Sequence, residues 1–364
     1  MDFSPLRYKV FRALAGHQPI SVFKAANTAW EIAPACERLD PPAIYHPDDL
    51  NLIRGYQEHT NADREHAKIQ GGKKAHGASV MYRFDNVIVR GGYAYCGKGR
   101  LRMSGAGEGA WLSVAPMPTL DQGMLVGHDF AARYFGHWLM DQLPHELIAH
   151  DKGFQSIAVP HDGLLYHEPG YRLATGLELD VRPACRIRSM LYVKDCAQND
   201  YKRQRYLQMR ARIQDRFSEQ EPLHSNGVYI MRHTQGARRI LENEQEIARR
   251  CRQWGLIVLD PSMSSVSEMY AALQGASIVI GVEGSALCHA LMCSPIGTTI
   301  VAIQPPYRFN NITKDFADCV GMHYGFTVAD PAGKGCFKLP VDRLERVLEL
   351  VNNEMEATKQ QLIA

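Results

Sequence analysis

Short apolar strands alternate with amphipathic helices throughout the second half of the chain, and this alternation restricts the fold more than any other feature. Parallel strands cannot be joined by tight turns, so each strand must return through a crossover, which is right-handed in nearly all proteins. The pattern therefore predicts a doubly wound α/β domain of the nucleotide-binding type. The predicted strands are 228–231, 256–259, 277–280 and 299–303, and the predicted helices are 243–254, 265–274 and 340–354.

The first half of the chain shows the same alternation less regularly. One helix and three strands favour a second α/β layer. Three β-rich pieces between residues 79 and 112 predict a small antiparallel sheet that decorates this layer. The predicted helix is 135–149, and the predicted strands are 156–159, 163–166 and 188–193.

A change in composition after residue 217 predicts a domain boundary. Residues 201–217 form a predicted basic helix whose arginines alternate with apolar residues, which favours a solvated outer face over a surface that binds polyanions. The polar stretch that follows contains proline and glycine, as interdomain linkers do. We therefore expect an N-terminal domain of residues 1–220, a C-terminal domain of residues 221–340 and a terminal helix at 341–364.

Composition excludes several classes of protein. The chain has 364 residues, enough for two domains of roughly 100 to 200 residues each. Its 41 Lys and Arg against 39 Asp and Glu give a net charge of +2, so we expect no nucleic-acid partner. The nine cysteines contain no Cys-x-x-Cys pair, which indicates reduced thiols rather than a zinc site. Neither a signal peptide nor an apolar run of about 18 residues is found, so we expect a cytoplasmic protein.

Residues 3–14 mix apolar side chains with Arg7, Lys9 and Arg12. Such a segment is typical of a helix that lies on a membrane surface, which would place the protein on the inner face of the membrane. It is equally typical of a terminal helix that packs on its own domain, and we favour this second interpretation.

Two loops of the C-terminal domain carry groups suited to phosphate. Ligands of open parallel sheets bind beyond the carboxyl ends of the strands, and Arg232, Arg238 and Arg239 follow the first predicted strand. Their forked guanidinium groups suit a diphosphate, although an exposed loop paired with nearby acids would look the same. The segment 281–287 is a glycine turn that opens into a helix, where free N–H groups favour an anion. It matches neither a P-loop nor G-x-G-x-x-G nor G-x-S-x-G, which disfavours a kinase, a dehydrogenase or a hydrolase.

A third segment lies in the first half of the chain. His137 and Asp141 are four residues apart and share one face of a predicted helix. We interpret Asp141 as a general base that accepts the proton of an alcohol, with His137 orienting it or the substrate; a buried structural pair is the alternative. Adding His145 gives a metal-like spacing, but Pro144 interrupts the helix and no fourth ligand is evident, so no metal site is predicted.

These three segments together resemble glycosyltransferase family 61, in the same order, over residues 120–330. The segment 135–144 is similar to the family's His-Trp-Leu-x-Asp-x-Leu-Pro element, and residues 232–244 are similar to its Arg followed by Arg-x-x-x-Asn-Glu. The segment 281–287 is similar to its glycine-rich nucleotide loop. The chain departs from the family at Glu283, where many members carry His, and at His289, where Asn is common.

The resemblance implies a GT-B fold of two facing Rossmann-like lobes, with the acceptor in the N-terminal lobe and the donor in the C-terminal lobe. The terminal helix would return to the N-terminal lobe. It also implies an inverting hexosyl- or pentosyltransferase of the bacterial capsular-polysaccharide branch, acting on an oligosaccharide or polysaccharide that is lipid-linked in some members. The implied donor contacts are Arg232, Arg239, Asn243, Glu283, Gly284, Ser285 and Ala286.

No D-x-D sequence occurs in the chain, so the usual pair of metal-binding carboxylates is missing. We expect a UDP-linked donor whose leaving diphosphate is neutralised by Arg232, Arg239 and the helix that begins near Gly284, without a metal. Asp141 would deprotonate the acceptor hydroxyl during a single in-line displacement. The alternatives are a catalytically inactive sugar-nucleotide-binding protein and, less well supported, a sulfotransferase.

Overall fold

The computed structural model describes residues 3–105, 116–163, 165–223, 225–232, 239–333 and 335–363. The helices are α1 (Ser4–Leu14), α2 (Ala62–Gln70), α3 (Asp129–Arg133), α4 (Phe135–His137), α5 (Leu143–Asp151), α6 (Glu168–Thr175), α7 (Asp200–Arg216), α8 (Glu244–Gln253), α9 (Val266–Leu273), α10 (Cys288–Cys293), α11 (Ile312–Val320) and α12 (Val341–Ile363). The first strands are β1 (Thr28–Ala33), β2 (Cys36–Asp40), β3 (Gly72–His76), β4 (Ser79–Arg90), β5 (Tyr93–Cys96), β6 (Gly99–Arg102), β7 (Thr119–Leu125), β8 (Ser156–Ala158), β9 (Asp180–Val181) and β10 (Ala184–Lys194). The later strands are β11 (Gly227–Ile230), β12 (Ile240–Leu241), β13 (Ile257–Leu259), β14 (Ile278–Val282), β15 (Thr299–Gln304), β16 (His323–Val328), β17 (Asp330–Gly333) and β18 (Cys336–Lys338).

The chain divides into two compact units, and the division lies elsewhere than the predicted boundary at residue 220. Residues 1–36 and 76–206 form the first unit, and residues 37–75 and 207–364 form the second. The chain thus enters the second unit twice. Our predicted domains were consecutive segments of the chain, and such segments cannot describe this arrangement.

Segment 37–75 belongs to the second unit because its polar groups bond there. The N–H of Ile44 donates to the carbonyl of Tyr324 over 2.9 Å, and the buried carboxylate of Glu65 accepts the N–H of Asn311 over 2.7 Å. Partners so far apart in sequence leave no local pattern, and the sequence therefore gave no sign of this arrangement.

Helix α12 also belongs to the second unit. Its Leu344, Val347 and Val351 are buried in the core that contains Tyr229 and Val301 of the parallel sheet. The amphipathic face that predicted the helix is thus covered by its own unit, whereas the resemblance led us to expect a return to the N-terminal lobe.

The first unit is built on one mixed sheet of order β6-β5-β4-β10-β7-β8-β9, with β1 beside β4. Strands β10, β7, β8 and β9 pair in parallel, and β4 is antiparallel to β1, β5 and β10. Phe84, Val87 and Val89 of β4 lie in the same core as Ile187 of β10. The predicted antiparallel pairing is confirmed for β4, β5 and β6, but the prediction that these strands only decorate the layer is wrong, because β4 is a central strand paired with β10. Residue alternation shows which side chains point inward but not which strand lies alongside.

Strands β8 and β10 lie at two of the predicted strand positions of the first unit, whereas β7 and α6 were not predicted. Two predicted elements differ from the structure. The predicted strand at 163–166 is absent from the described residues there, which form bends and turns ahead of α6. The helix predicted at 135–149 is interrupted by a π-helical turn, Trp138–Gln142, between α4 and α5.

The second unit confirms the predicted parallel sheet. Its order is β13-β11-β14-β15-β16, and all four pairings are parallel. Numbered along the chain within this sheet, the strands follow the order 2-1-3-4-5 of doubly wound nucleotide-binding folds, with a switch point between β11 and β14. Helices α8 and α12 cover one face through Ile247, Cys251 and Leu344.

Within the described ranges, every helix is too short or too polar to cross a bilayer.

Candidate functional site

Two loops of the second unit meet at the switch point between β11 and β14. Ligands of such sheets bind where the strand order reverses, beyond the carboxyl ends of the strands. Arg232 lies just beyond β11, and Glu283 directly follows the last residue of β14. Arg308 follows the neighbouring strand β15. The sheet therefore brings three charged side chains to the edge where a ligand is expected.

Gly284 allows two arginine side chains to approach the backbone at this edge. A Cβ atom at position 284 would lie 2.6 Å from Nη1 of Arg232 and 3.3 Å from Nη2 of Arg239. The backbone φ of Gly284 is also 144°, a conformation that residues with a side chain rarely adopt. The backbone conformation therefore favours glycine here, and a Cβ atom would also displace the end of the Arg232 side chain.

The carboxylate of Glu283 is buried among these cations. Nη1 of Arg239 donates to this carboxylate and, over 2.9 Å, to the carbonyl oxygen of Glu283. Nη1 of Arg308 lies 3.4 Å from Glu283 Oε2. On the other side, the carboxylate of Glu244 accepts the backbone N–H of Arg232 over 2.7 Å. Among the described residues, three guanidinium groups thus face two carboxylates, and the positive charge is in excess.

Arg232 and Arg239 are the buried members of this arginine cluster, which we define as Arg232, Arg239 and Arg308. Burial lowers the pKa of Arg232 to about 10, and the charges of Arg239 and Arg308 act in the same direction against the attraction of Glu283. The side chain still carries its charge at neutral pH. A bound anion would stabilise this charge, and a diphosphate matches the forked geometry of guanidinium groups.

Ser285 and Ala286 lie beside the arginine cluster but not in the predicted helix. A 3-10 turn, Ser285–Leu287, comes first, and the six-residue helix α10 follows it. Gly284, Ser285 and Ala286 are partly exposed. Any anion at this edge would therefore be bound mainly by the arginines rather than by the N-terminus of a long helix.

The structure places Asn243 in a different environment. Its Nδ2 donates to the carbonyl of Leu339 over 2.8 Å and to Glu246 over 3.1 Å, and its Oδ1 accepts the N–H of Leu339 over 3.0 Å. These bonds fix the connection between β18 and α12. Arg238, which we had grouped with Arg239, lies outside the described residues.

The second cluster of polar groups lies in the first unit, around the π-helical turn that precedes α5. Pro144 has no N–H to donate to the carbonyl of Met140, so a regular helix cannot continue through this point. The hydroxyl of Tyr206 donates to that carbonyl over 2.8 Å instead. Such π-helical turns occur frequently at functional sites. This one carries Asp141.

Asp141 accepts hydrogen bonds on both carboxylate oxygens. Nδ1 of His137 lies 2.7 Å from Oδ2, and Nζ of Lys202 lies 2.7 Å from Oδ1. Nε2 of His128 lies 3.5 Å from Oδ2. The side chain of Asp141 is 14% exposed, whereas that of Lys202 is completely buried. The structure thus confirms the proximity of His137 and Asp141 and adds two partners that the sequence did not indicate.

The charge of Lys202 determines the protonation of Asp141. Burial by itself would raise the pKa of Asp141, but the attraction of Lys202 and the hydrogen bonds from His128 and His137 outweigh it and hold the pKa well below its usual range. Asp141 is therefore ionised at all physiological pH values. The solvated face predicted for the basic helix is wrong at this end, since both Lys202 and Arg205 are buried.

Aromatic rings surround His137 on its exposed side. The ring centroids of Phe130, Tyr134 and His128 lie 5.6, 6.3 and 5.9 Å from that of His137. His137 is 29% exposed and Tyr134 is 40% exposed. The guanidinium group of Arg133 lies over the rings of Phe130 and Tyr134. The exposed ring of Tyr134 next to a histidine suits an amphipathic ligand such as a sugar, whose C–H groups pack on rings while its hydroxyls form hydrogen bonds.

The carboxylate of Asp195 is buried, and this residue also contacts Lys202. It accepts hydrogen bonds from Ser79 over 2.5 Å and from Arg205, and its backbone carbonyl accepts Nζ of Lys202 over 3.1 Å. His145 Nε2 lies 4.0 Å from the Asp195 carboxylate. Burial is the main cause that lowers the pKa of His145 to about 3, so its ring is neutral.

Three groups of this site satisfy the distance requirement of a metal site. One ligand atom each from His128, His137 and Asp141 lies within 4.8 Å of the others. The ammonium group of Lys202 on the second oxygen of Asp141 would repel a cation and already supplies the charge that a metal would supply. His145, whose spacing had suggested a ligand, lies beside Asp195 instead.

The fold and these two clusters define an α/β protein with three arginines at the switch point of its parallel sheet and a histidine–carboxylate pair in its other unit. The family model Glycosyltransferase 61 matches residues 135–301, a segment that begins at α4 and ends within β15. This match supports glycosyltransferase family 61 and, with it, a glycosyltransferase that uses a nucleotide-sugar donor and a glycan acceptor. Among curated proteins, no significant match to the chain is found.

Proposed function

We propose that this protein is an inverting, metal-independent glycosyltransferase that moves a sugar from a UDP-linked donor to a hydroxyl group of a glycan. The observation that carries the proposal is the convergence of Arg232, Arg239 and Arg308 around Gly284 at the switch point of the parallel sheet. Departure of a nucleoside diphosphate develops negative charge, and fixed cations in a water-poor site stabilise such charge strongly. The excess positive charge of the arginine cluster supplies what a metal supplies in enzymes with a D-x-D motif.

The acceptor side of the reaction is assigned to the first unit. Inversion needs one displacement and a group that removes the proton of the attacking hydroxyl. His137 and Asp141 provide such a pair, and the exposed ring of Tyr134 beside them provides a surface for a sugar ring. Lys202 keeps Asp141 ionised. Asp141 can therefore stabilise a positive charge that develops on His137 when the hydroxyl loses its proton.

The chemistry of helix α1 supports a peripheral membrane setting. Phe3, Leu6, Val10 and Leu14 are between 38% and 79% exposed, and together they form a stripe at helical spacing. No Asp or Glu occurs between Phe3 and Trp30, so the surroundings of this stripe are basic. An apolar stripe with flanking cations suits an anionic membrane surface. A cytoplasmic enzyme in peripheral contact with the inner membrane face could use a lipid-linked acceptor in surface-polysaccharide synthesis, the role expected of the capsular branch.

The proposal is tested by offering purified protein a panel of nucleotide sugars. A true donor should raise the melting temperature, because it binds only the folded protein, and it should be consumed in the presence of oligosaccharide acceptors. No stabilisation by any nucleoside diphosphate or nucleotide sugar would contradict the proposal.

A catalytically inactive sugar-nucleotide-binding protein is the alternative function. Glu283 favours it, because this carboxylate neutralises Arg239 inside the arginine cluster and stands where many family members carry His. Stabilisation by a nucleotide sugar without transfer to any acceptor would support this alternative.

A further inference from the structure

The hydrogen bonds around Asp141 make it a poor proton acceptor. Both of its carboxylate oxygens already accept bonds, one from the ammonium group of Lys202 and one from the ring of His137. Protonation of Asp141 would remove the negative charge that contacts the ammonium group of Lys202, which is completely buried. A buried charge that loses its partner strongly destabilises the folded protein. The carboxylate of Asp141 is therefore suited to orient the ring of His137 rather than to accept a proton.

The same contact determines where His137 carries its proton. An ionised carboxylate can only accept, so Nδ1 of His137 must donate to it over the 2.7 Å contact. A neutral imidazole has a single N–H, and the lone pair then lies on Nε2. Among the described residues, none forms a hydrogen bond with this Nε2, and the ring is 29% exposed.

We propose that His137, through Nε2, is the group that accepts the proton of the acceptor hydroxyl, and that Asp141 and Lys202 are positioning residues. This inference rests on the proposed glycosyltransferase function and reverses the roles that the sequence suggested for His137 and Asp141.

In the transfer step, the O–H bond of the acceptor breaks and its proton moves to Nε2 of His137. The oxygen forms a bond to the anomeric carbon of the donor, and the bond between that carbon and the diphosphate oxygen breaks. The electron pair of the broken bond leaves with the nucleoside diphosphate. The imidazolium ion that results is stabilised by the Asp141 carboxylate and returns its proton to solvent.

The titratable groups that face His137 are His128, Tyr134 and Asp141, with Lys202 behind Asp141. Arg133 lies over the neighbouring rings of Phe130 and Tyr134. Their fixed charges at neutral pH are one carboxylate and two cations, and the carboxylate is the charge in direct contact with the imidazole.

The first experiment observes the tautomer directly, without any substrate. Long-range proton–nitrogen NMR spectra of histidine-labelled protein at pH 8, assigned with the His137→Asn variant, should show His137 protonated at Nδ1. Asp141→Asn should change this pattern. Protonation at Nε2 in the wild type would overturn the proposal even if the enzyme transfers sugar.

The second experiment measures turnover. His137→Asn keeps a donor near the position of Nδ1, and with it the contact to Asp141, but removes the basic nitrogen. It should lower kcat by about 10²- to 10⁴-fold, the usual contribution of a general base, with little change in donor KM. The fall in kcat/KM of the wild type at acid pH should disappear. Added imidazole should restore part of the activity of His137→Ala, which a purely structural role would not allow.

The matched control is His150→Gln, since His150 also forms a pair with a carboxylate, Asp151, over 3.1 Å but at an exposed position of the same unit. It should transfer sugar as the wild type does. Turnover by folded His137→Asn within threefold of the wild type, with Asp141→Asn inactive, would return the role of base to Asp141. Absence of transfer with every donor would instead contradict the proposed function, and the tautomer measured by NMR would distinguish the two failures.

Discussion

Arg232 and Gly284 lie so close together that a Cβ atom at position 284 would be 2.6 Å from Nη1 of the arginine. A guanidinium group is thus in contact with the backbone of the loop that follows β14, on the edge of the sheet where the strand order reverses. The glycine and the arginine form one structural element of the proposed diphosphate site.

Gly284→Ala should therefore displace Arg232 and weaken the binding of UDP by about tenfold, equivalent to roughly 1.4 kcal/mol. Isothermal titration calorimetry measures this change. Gly297→Ala is a matched control, because Gly297 also has a positive φ, 87°, but a Cβ there would meet nothing within 4 Å. Both variants should lose stability from backbone strain, and only Gly284→Ala should lose affinity. Equal affinity of the two variants would show that the contact does not matter for binding.

Arg232→Ala should weaken UDP binding by roughly one to two orders of magnitude, because a hydrogen bond to a charged group contributes ~1.5 to 3 kcal/mol. Arg308→Ala should also weaken UDP binding, and less strongly than Arg232→Ala, because the side chain of Arg308 is partly exposed. Arg249→Ala removes an exposed arginine of α8 and serves as the control for overall charge. Calorimetric affinities of all three variants decide the matter. An unchanged Kd for Arg232→Ala would show that the diphosphate does not bind at this edge of the sheet.

Sugar transfer should continue in EDTA, because the arginine cluster and Lys202 occupy the positions where metal ions would supply positive charge. The measurement is the initial rate of transfer in buffer treated with chelating resin, with and without EDTA. Complete loss of activity that Mn²⁺ or Mg²⁺ restores would contradict the metal-independent mechanism and would direct attention to His128, His137 and Asp141.

His145 should make the protein less stable in weak acid. Its pKa is about 3 in the folded protein, mainly because of burial, against 6.5 for the unfolded chain. The unfolded state therefore binds the proton more tightly, so stability is fully present above pH 6.5 and falls as the pH drops toward 3. Between pH 7 and pH 5 the loss is about 2 kcal/mol, or roughly 4 to 8 °C in melting temperature.

His145→Gln should lack this contribution, whatever its stability at pH 7. Differential scanning calorimetry at the two pH values gives the comparison, with the exposed His150→Gln as the control. The same acid-induced decrease in His145→Gln as in the wild type would show that another group is responsible.

Helix α1 should bind anionic vesicles. We expect the protein to sediment with phosphatidylcholine vesicles that contain phosphatidylglycerol, less with pure phosphatidylcholine, and less at high salt, because each Lys or Arg near such a surface contributes ~1 kcal/mol. Val10→Glu combined with Leu14→Glu should abolish binding, whereas Met263→Glu, at a residue that is 82% exposed in the second unit, should not. Equal sedimentation of both variants would exclude α1 as the contact.

The sequence by itself determined the parallel sheet of the second unit and the loops that carry its arginine cluster. The runs 228–231, 277–280 and 299–303 are apolar because both faces of a parallel strand are buried, and this requirement is visible residue by residue. The position of Arg232 after the first of these runs follows from the same pattern. The family resemblance of the three segments was also visible, and the match over residues 135–301 supports it.

Only the tertiary structure showed which partners these residues have. Lys202 lies in a basic helix whose pattern is that of a solvated face, yet it is completely buried against Asp141, which is 61 positions away in the sequence. Arg308 joins Glu283 from a separate strand end, and β4 becomes central because β10 lies beside it. The sequence pattern reports how strongly a side chain avoids water, whereas the partner of a buried charge or of a strand depends on contacts between distant segments. The protonation of Asp141, and hence the tautomer of His137, follows from one of those contacts.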